Sequence, residues 1–91
     1  MVKIKFLARF KDITGEKISE VDYTGELSGL IELLIEKYGD KFKESLLTQE
    51  GQFRDYVKIL INGEDIYQVD GLKSTVGKED EIIIFQTIAG G

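Results

Sequence analysis

The sequence predicts an α+β domain in which a mixed sheet of four to five strands carries one main helix on one face. Three observations support this. Residues 2–10, VKIKFLARF, alternate apolar and basic side chains at the period of a strand. Residues 27–38 change to helical spacing, with Leu27, Leu30, Ile31, Leu34 and Tyr38 on one stripe. The strand signal then returns in YVKILIN at 56–62, and EIIIFQT at 81–87 is the most apolar strand in the chain. A length of 91 residues fits one domain and leaves no room for a second.

On the first strand, Ile4, Phe6 and Ala8 share one face, and Lys3, Lys5, Leu7 and Arg9 share the other. Asp12 and Gly15 mark residues 11–16 as a turn, and KISEVDY at 17–23 returns as the second strand of a hairpin. Its inward parity is open, because Ile18 and Val21 lie an odd number of residues apart. Gly29 weakens the first turn of the helix, while Gly39 stands where a left-handed C-terminal cap belongs. Asp40 opens a short second helix carrying Phe42, Leu46 and Leu47, and the polar stretch 48–55 reads as loop. In the next strand Val57, Ile59 and Ile61 face one way, Lys58 and Leu60 the other; Asn62-Gly63 then forms a tight turn. Residues 64–80 are irregular and rich in Asp, Glu and Gly. A right-handed crossover after the first hairpin sets the final strand beside the first, which is the β-grasp arrangement. The expected boundaries are a single domain over 1–87 and a flexible C-terminal tail over 88–91.

Composition closes most routes to side-chain catalysis. The chain has neither Cys nor His, which removes thiolate nucleophiles, disulfides, Cys/His zinc sites and imidazole bases. Seventeen acidic against 12 basic residues give a net charge of −5. That balance speaks against nucleic acid and anionic membranes and for partners with basic surfaces. The first residues carry charges throughout and lack a small-residue cleavage site, so they do not read as a signal peptide. No apolar run approaches the ~20 residues of a membrane span. The expectation is a cytoplasmic protein. Glu79-Asp80-Glu81 and Glu64-Asp65 read as solvated loops without EF-hand spacing. Gly15, Gly25, Gly29 and Gly39 fit neither a P-loop nor a dinucleotide fingerprint. The reading is therefore of a chain with no internal active site, no metal and no bound cofactor.

The C-terminus offers chemistry of another kind. Ile88-Ala89-Gly90-Gly91 follows the most apolar strand directly and ends on two glycines. A main-chain carboxylate becomes an acyl donor once ATP adenylates it, and sulfur, a thiol or a lysine amine then takes the acyl group. Such a carboxylate must reach another protein's pocket on a narrow segment, which glycine allows because it lacks Cβ. Four residues extend at most roughly 13–14 Å, enough to thread a channel. A second clue lies on the sheet face opposite the core. Leu7, Leu60 and either Ile83 or Phe85 take that parity, ringed by Lys3, Lys5, Arg9 and Lys58, and contiguous exposed apolar area marks a docking site.

FLARFKDITG at 6–15, ILINGEDI at 59–66, DGLKSTV at 70–76, EDEIIIF at 79–85 and the terminal AGG together resemble the MoaD/ThiS ubiquitin-like sulfur carriers. The likeness is greatest to archaeal MoaD-related proteins, a group overlapping the small archaeal modifier proteins, and it covers nearly the whole chain. The resemblance implies a ubiquitin-like β-grasp fold and a carrier that is not itself an enzyme. It implies that a MoeB/ThiF-type activating adenylyltransferase, which uses the ATP, acts on Gly91 at the end of the Ala89-Gly90 tail. In the molybdopterin branch a Gly91 thiocarboxylate donates sulfur in complex with the large subunit of molybdopterin synthase. In the modifier branch Gly91 is joined to target-protein lysines. A reading of another class is a β-grasp protein-interaction module without terminal chemistry, in which the two glycines are incidental. Leu7 and Phe85 match apolar positions such carriers use in docking, while Leu60 rests on strand parity alone. Two positions depart from the molybdopterin branch: Gln86-Thr87 stands in place of its prolines, and Glu79-Asp80-Glu81 in place of Gly-Asp-Glu.

Overall fold

The computed structural model describes residues 1–87. The first strand, β1 (Val2–Phe6), buries Val2, Ile4 and Phe6 completely, as its alternation requires. It ends four residues earlier than the sequence suggests. Ala8 takes φ 53° and ψ −126°, which turns the chain out of the sheet and into a short helix, α1 (Arg9–Thr14). The expected turn at 11–16 is therefore largely helical, Ala8 is exposed rather than inward, and Arg9 heads α1 instead of sharing a strand face. Phe10 is buried as strand parity would have it, but from a helix. Gly15 closes α1 in the left-handed region, φ 74° and ψ 7°, and its N–H donates to the Lys11 carbonyl at 2.8 Å.

β2 (Ile18–Val21) pairs antiparallel with β1, so the two are hairpin partners joined through α1. The register sets Val21 opposite Val2 and Ser19 opposite Ile4. Ser19 and Val21 thus face the core, and Ile18 falls on the other side, which settles the open parity. A two-residue strand β3 (Gly25–Glu26) leads into α2 (Leu27–Tyr38), whose Leu27, Leu30, Ile31 and Leu34 are buried along the expected stripe. Gly29 has a reason beyond helix propensity. The Tyr23 hydroxyl donates to the Glu26 carbonyl at 2.6 Å, and its ring lies so close that a Cβ on Gly29 would overlap Oη and stand 3.0 Å from Cζ. Gly39 ends α2 with φ 87° but ψ −166°, outside the left-handed helical region expected for it. Its N–H still bonds the Ile35 carbonyl at 2.8 Å.

α3 (Asp40–Leu46) follows at once and buries Phe42 and Leu46, with Leu47 half-buried. Phe42 stands edge-on to Phe6 and Phe10, with ring centroids 6.0 and 5.8 Å apart, and Tyr38 is 5.5 Å from Phe6. The Tyr38 hydroxyl donates to Glu16, whose carboxylate also lies 3.7 Å from Lys37 Nζ. Burial, followed by this carboxylate, raises the Tyr38 pKa above the usual tyrosine value.

β4 (Val57–Ile61), β5 (Glu64–Asp65) and β7 (Glu81–Gln86) complete a five-stranded sheet of order β2-β1-β7-β4-β5. β7 lies parallel to β1 and antiparallel to β4, so the final strand is central, as the crossover argument requires. Asn62 (φ 51°) and Gly63 (φ 88°) make the expected tight turn between β4 and β5. β6 (Thr75–Val76) pairs with β3 in a separate ladder that sequence periodicity does not reveal. All three helices' buried residues join one core with Val57, Ile59, Ile82 and Ile84. No helix among the described residues is long and apolar enough to cross a membrane.

Candidate functional site: the bare sheet face and the end of β7

The face opposite the core is built by register. One row crosses the sheet through Ile18, Lys5, Ile83, Leu60 and Asp65. The next pairs Lys58 with Phe85. The Leu7 N–H donates to the Ile84 carbonyl at 3.1 Å, carrying the parallel ladder one residue beyond β1 and placing Leu7 alongside Phe85. Leu7 is 40% exposed; Leu60, Ile83 and Phe85 are half-buried. All three proposed docking residues thus gather on one face, with both Ile83 and Phe85 contributing. Arg9 does not belong to this ring.

Two ion pairs edge the apolar patch, Lys5–Glu81 at 3.5 Å and Lys58–Asp65 at 3.3 Å. At this exposure they add little stability, yet they lay lysine stems along the patch. The Tyr67 backbone N–H, 2.9 Å from Asp65 Oδ1, holds the Asp65 carboxyl below the usual carboxylate range, and Lys58 adds to the effect. The acidic run at 79–81 has an internal use. Asp80 accepts from the Gly77 N–H at 2.7 Å and the Asn62 amide at 2.8 Å, and Asn62 Oδ1 accepts from the Glu81 N–H at 2.9 Å.

At the far end of β7, Gln86 lies opposite Val57. The Thr87 N–H and Oγ1 both donate to the Tyr56 carbonyl, at 2.7 and 3.2 Å. The chain is therefore fixed to β4 four residues before its terminal glycine. Gln86 Oε1 is buried without a hydrogen-bond partner among the described residues. Sequence reasoning missed this atom, although a polar residue continuing the inward parity of Ile82 and Ile84 was its signal. Ala89, Gly90 and Gly91, and with them the expected flexible tail, lie outside the described residues.

Residues 4–91 match the model of the ThiS family. The chain belongs to that family. A protein of Archaeoglobus fulgidus, provisionally described as a sulfur carrier, is 36% identical to this ThiS-family chain over 80 residues, covering 88% of it and 82% of the relative. Small archaeal modifier protein 3 of Haloferax volcanii is 24% identical over 92 residues, 99% of this chain and 98% of the relative. Among solved structures, the fold is similar to a chain in the BexX/CysO complex of Amycolatopsis orientalis, with TM-score 0.81, 22% identity and full coverage of both chains. The ubiquitin-like β-grasp fold and the carrier or modifier character of its relatives are thus those of the ThiS family.

Proposed function

We propose that this chain carries sulfur as a thiocarboxylate on Gly91. The observation that carries the reading is that one strand serves both needs. β7 supplies Ile83 and Phe85 to the bare apolar face, is tied down at Thr87, and leads directly to the Gly-Gly terminus. A MoeB/ThiF-type adenylyltransferase docks on Leu7, Leu60 and Phe85 and receives the tail. The Gly91 carboxylate attacks the α-phosphorus of ATP, and pyrophosphate leaves. Hydrosulfide (HS⁻) then attacks the acyl carbon and displaces AMP from the acyl adenylate, leaving the thiocarboxylate. The nucleotide and any catalytic thiol belong to the partner, in keeping with a chain that has no Cys or His. The acceptor named by the resemblance is the molybdopterin precursor, with the large synthase subunit as second partner. The sulfur-carrier description of the Archaeoglobus relative and a neighbour solved in a complex support carriage with a docked partner.

Deleting Gly91 is expected to leave the melting temperature unchanged and to abolish adenylation and oxygen-to-sulfur exchange, read by mass spectrometry with activating enzyme, ATP and a sulfur donor. Continued exchange in the truncated chain would falsify the reading. Conjugation of Gly91 to lysines is the second reading, favoured by the Haloferax modifier relative and by Gln86-Thr87 in place of the prolines. Abundant isopeptides between Gly91 and cellular lysines would select it over sulfur carriage.

A further inference from the structure

We propose that residues 64–73 form a second docking surface, which takes a protein segment presenting arginine or lysine beside aromatic or aliphatic side chains. Three of the seven large apolar side chains left exposed among the described residues fall within 67–72: Tyr67 at 67%, Val69 at 44% and Leu72 at 38%. This exposure is built, not frayed. Two 3-10 turns, Ile66–Gln68 and Gly71–Lys73, hold the segment, and Ile66 anchors it in the core. Asp65 caps the first turn through the Tyr67 N–H, and Ser74 Oγ accepts the Asp70 N–H at 3.2 Å. Val69 forms one wall of an open depression of about 340 Å³ that Glu64, Asp70 and Ser74 also line.

Charge identifies the occupant. Residues 64–73 hold Glu64, Asp65 and Asp70 against the single cation Lys73, a net −2 of the chain's −5. Asp65 is engaged by Lys58, whereas Glu64 and Asp70 form no ion pair among the described residues. An apolar surface rimmed by free carboxylates complements a partner with cationic and apolar side chains together, and Tyr67 offers its ring to a guanidinium. A second copy would bring like charges together.

The position matters as much as the chemistry. The β4–β7 ladder runs from Ile61–Ile82 beside this surface to Val57–Gln86 at the base of the tail. The two ends are separated by about 13 Å of strand. The two surfaces meet at Asp65, which pairs with Lys58 at the edge of the first patch, while Tyr67, Val69 and Leu72 lie outside the row through Ile83 and Leu60. This inference does not depend on what is attached to Gly91.

The experiment is a titration of the 15N-labelled chain with a capped peptide alternating arginine with tryptophan and leucine. An all-arginine peptide of equal length and a glutamate-for-arginine version are the comparisons. Amide shifts concentrated at 64–73 are expected, with the mixed peptide binding about tenfold tighter than all-arginine and the glutamate version not binding. Tyr67→Ser and Asp70→Asn should each weaken it several-fold without lowering the melting temperature, and Phe85→Ser should leave it unchanged. Equal binding of the all-arginine peptide, shifts spread over every carboxylate, or unaltered binding by both variants overturns the proposal. Dimerisation of the free chain that Tyr67→Ser abolishes would assign the surface to a second copy and overturn it as well.

Discussion

On β7, Ile82 and Ile84 are fully buried, whereas Ile83 and Phe85, equally apolar, stand half-covered on the face that no helix crosses. β4 repeats the contrast, with Ile59 at 2% exposure and Leu60 half-buried beside it. The covered face spends its apolar side chains on helices α1 to α3. The bare face pairs its own with each other and with lysine stems, and gains less from them than a helix would provide. Half-covered apolar residues gathered on one face are what the docking role proposed above would draw on.

The contrast is broken most severely by charge. Ile59→Glu should cost more than about 4 kcal/mol, enough to unfold a domain of this size, because the carboxylate enters the core unpaired. Leu60→Glu and Phe85→Glu should cost no more than about 1 kcal/mol, since a charge there stays hydrated. Both should nevertheless lose affinity for the activating enzyme, where the carboxylate is desolvated. Thermal melts and binding titrations separate the two classes. Early melting of all three would make the bare face part of the core.

On the covered side, Gly29→Ala should destabilise by about 1–2 kcal/mol, although alanine in a helix normally gains up to ~1 kcal/mol over glycine. The new Cβ displaces Tyr23 and its bond to the Glu26 carbonyl. In a Tyr23→Ala background the same substitution should reverse sign, which a double-mutant melt reads directly. Gln86→Met should stabilise by about 1 kcal/mol, because it removes a buried acceptor that has no partner among the described residues while keeping the shape of the side chain.

The smallest expected effects come from pH, and each face governs one limb. Asp65 on the bare face is held below the usual carboxylate range, so its stabilisation is present above about pH 4 and is lost as pH falls towards its lowered value. Tyr38 on the covered face is raised, so its contribution is intact below about pH 10 and is lost as the unfolded chain's tyrosine ionises above it. Melts of Asp65→Asn should show a flatter acid limb, and melts of Tyr38→Phe a flatter alkaline one.

How much of this was legible depended on length of pattern. α2 could be read because its stripe runs for three turns, and β4 and β7 because each is a run of five or six residues dominated by β-branched and other apolar side chains. The 6-residue α1 could not, since VKIKFLARF keeps alternating past the point where Ala8 turns the backbone. Phe10 satisfies the core from either a strand or a helix, so its burial gave no discrimination. The β3–β6 ladder, with two residues on each side, is too short to have a period at all. For the site, parity put Leu60 on the bare face and left Ile83 or Phe85 open beside it, and the register places both there. Leu7 reached the same face through one backbone hydrogen bond beyond its strand, and Arg9 was lost from the face with the end of β1.

The parallel pairing of β1 with β7 has a consequence for synthesis. β1 is made first, but both its neighbour on one side and the neighbour of β4 are the same late strand. A nascent or broken chain stopped before Glu81 lacks the strand that joins β2-β1 to β4-β5 in one sheet. Pairing strands so distant in sequence slows folding. Ile83 and Phe85 arrive on that same strand, so a partially made chain cannot display the patch. Under the function proposed above, an activating enzyme that reads the whole face would therefore engage only a chain in which β7 has been made.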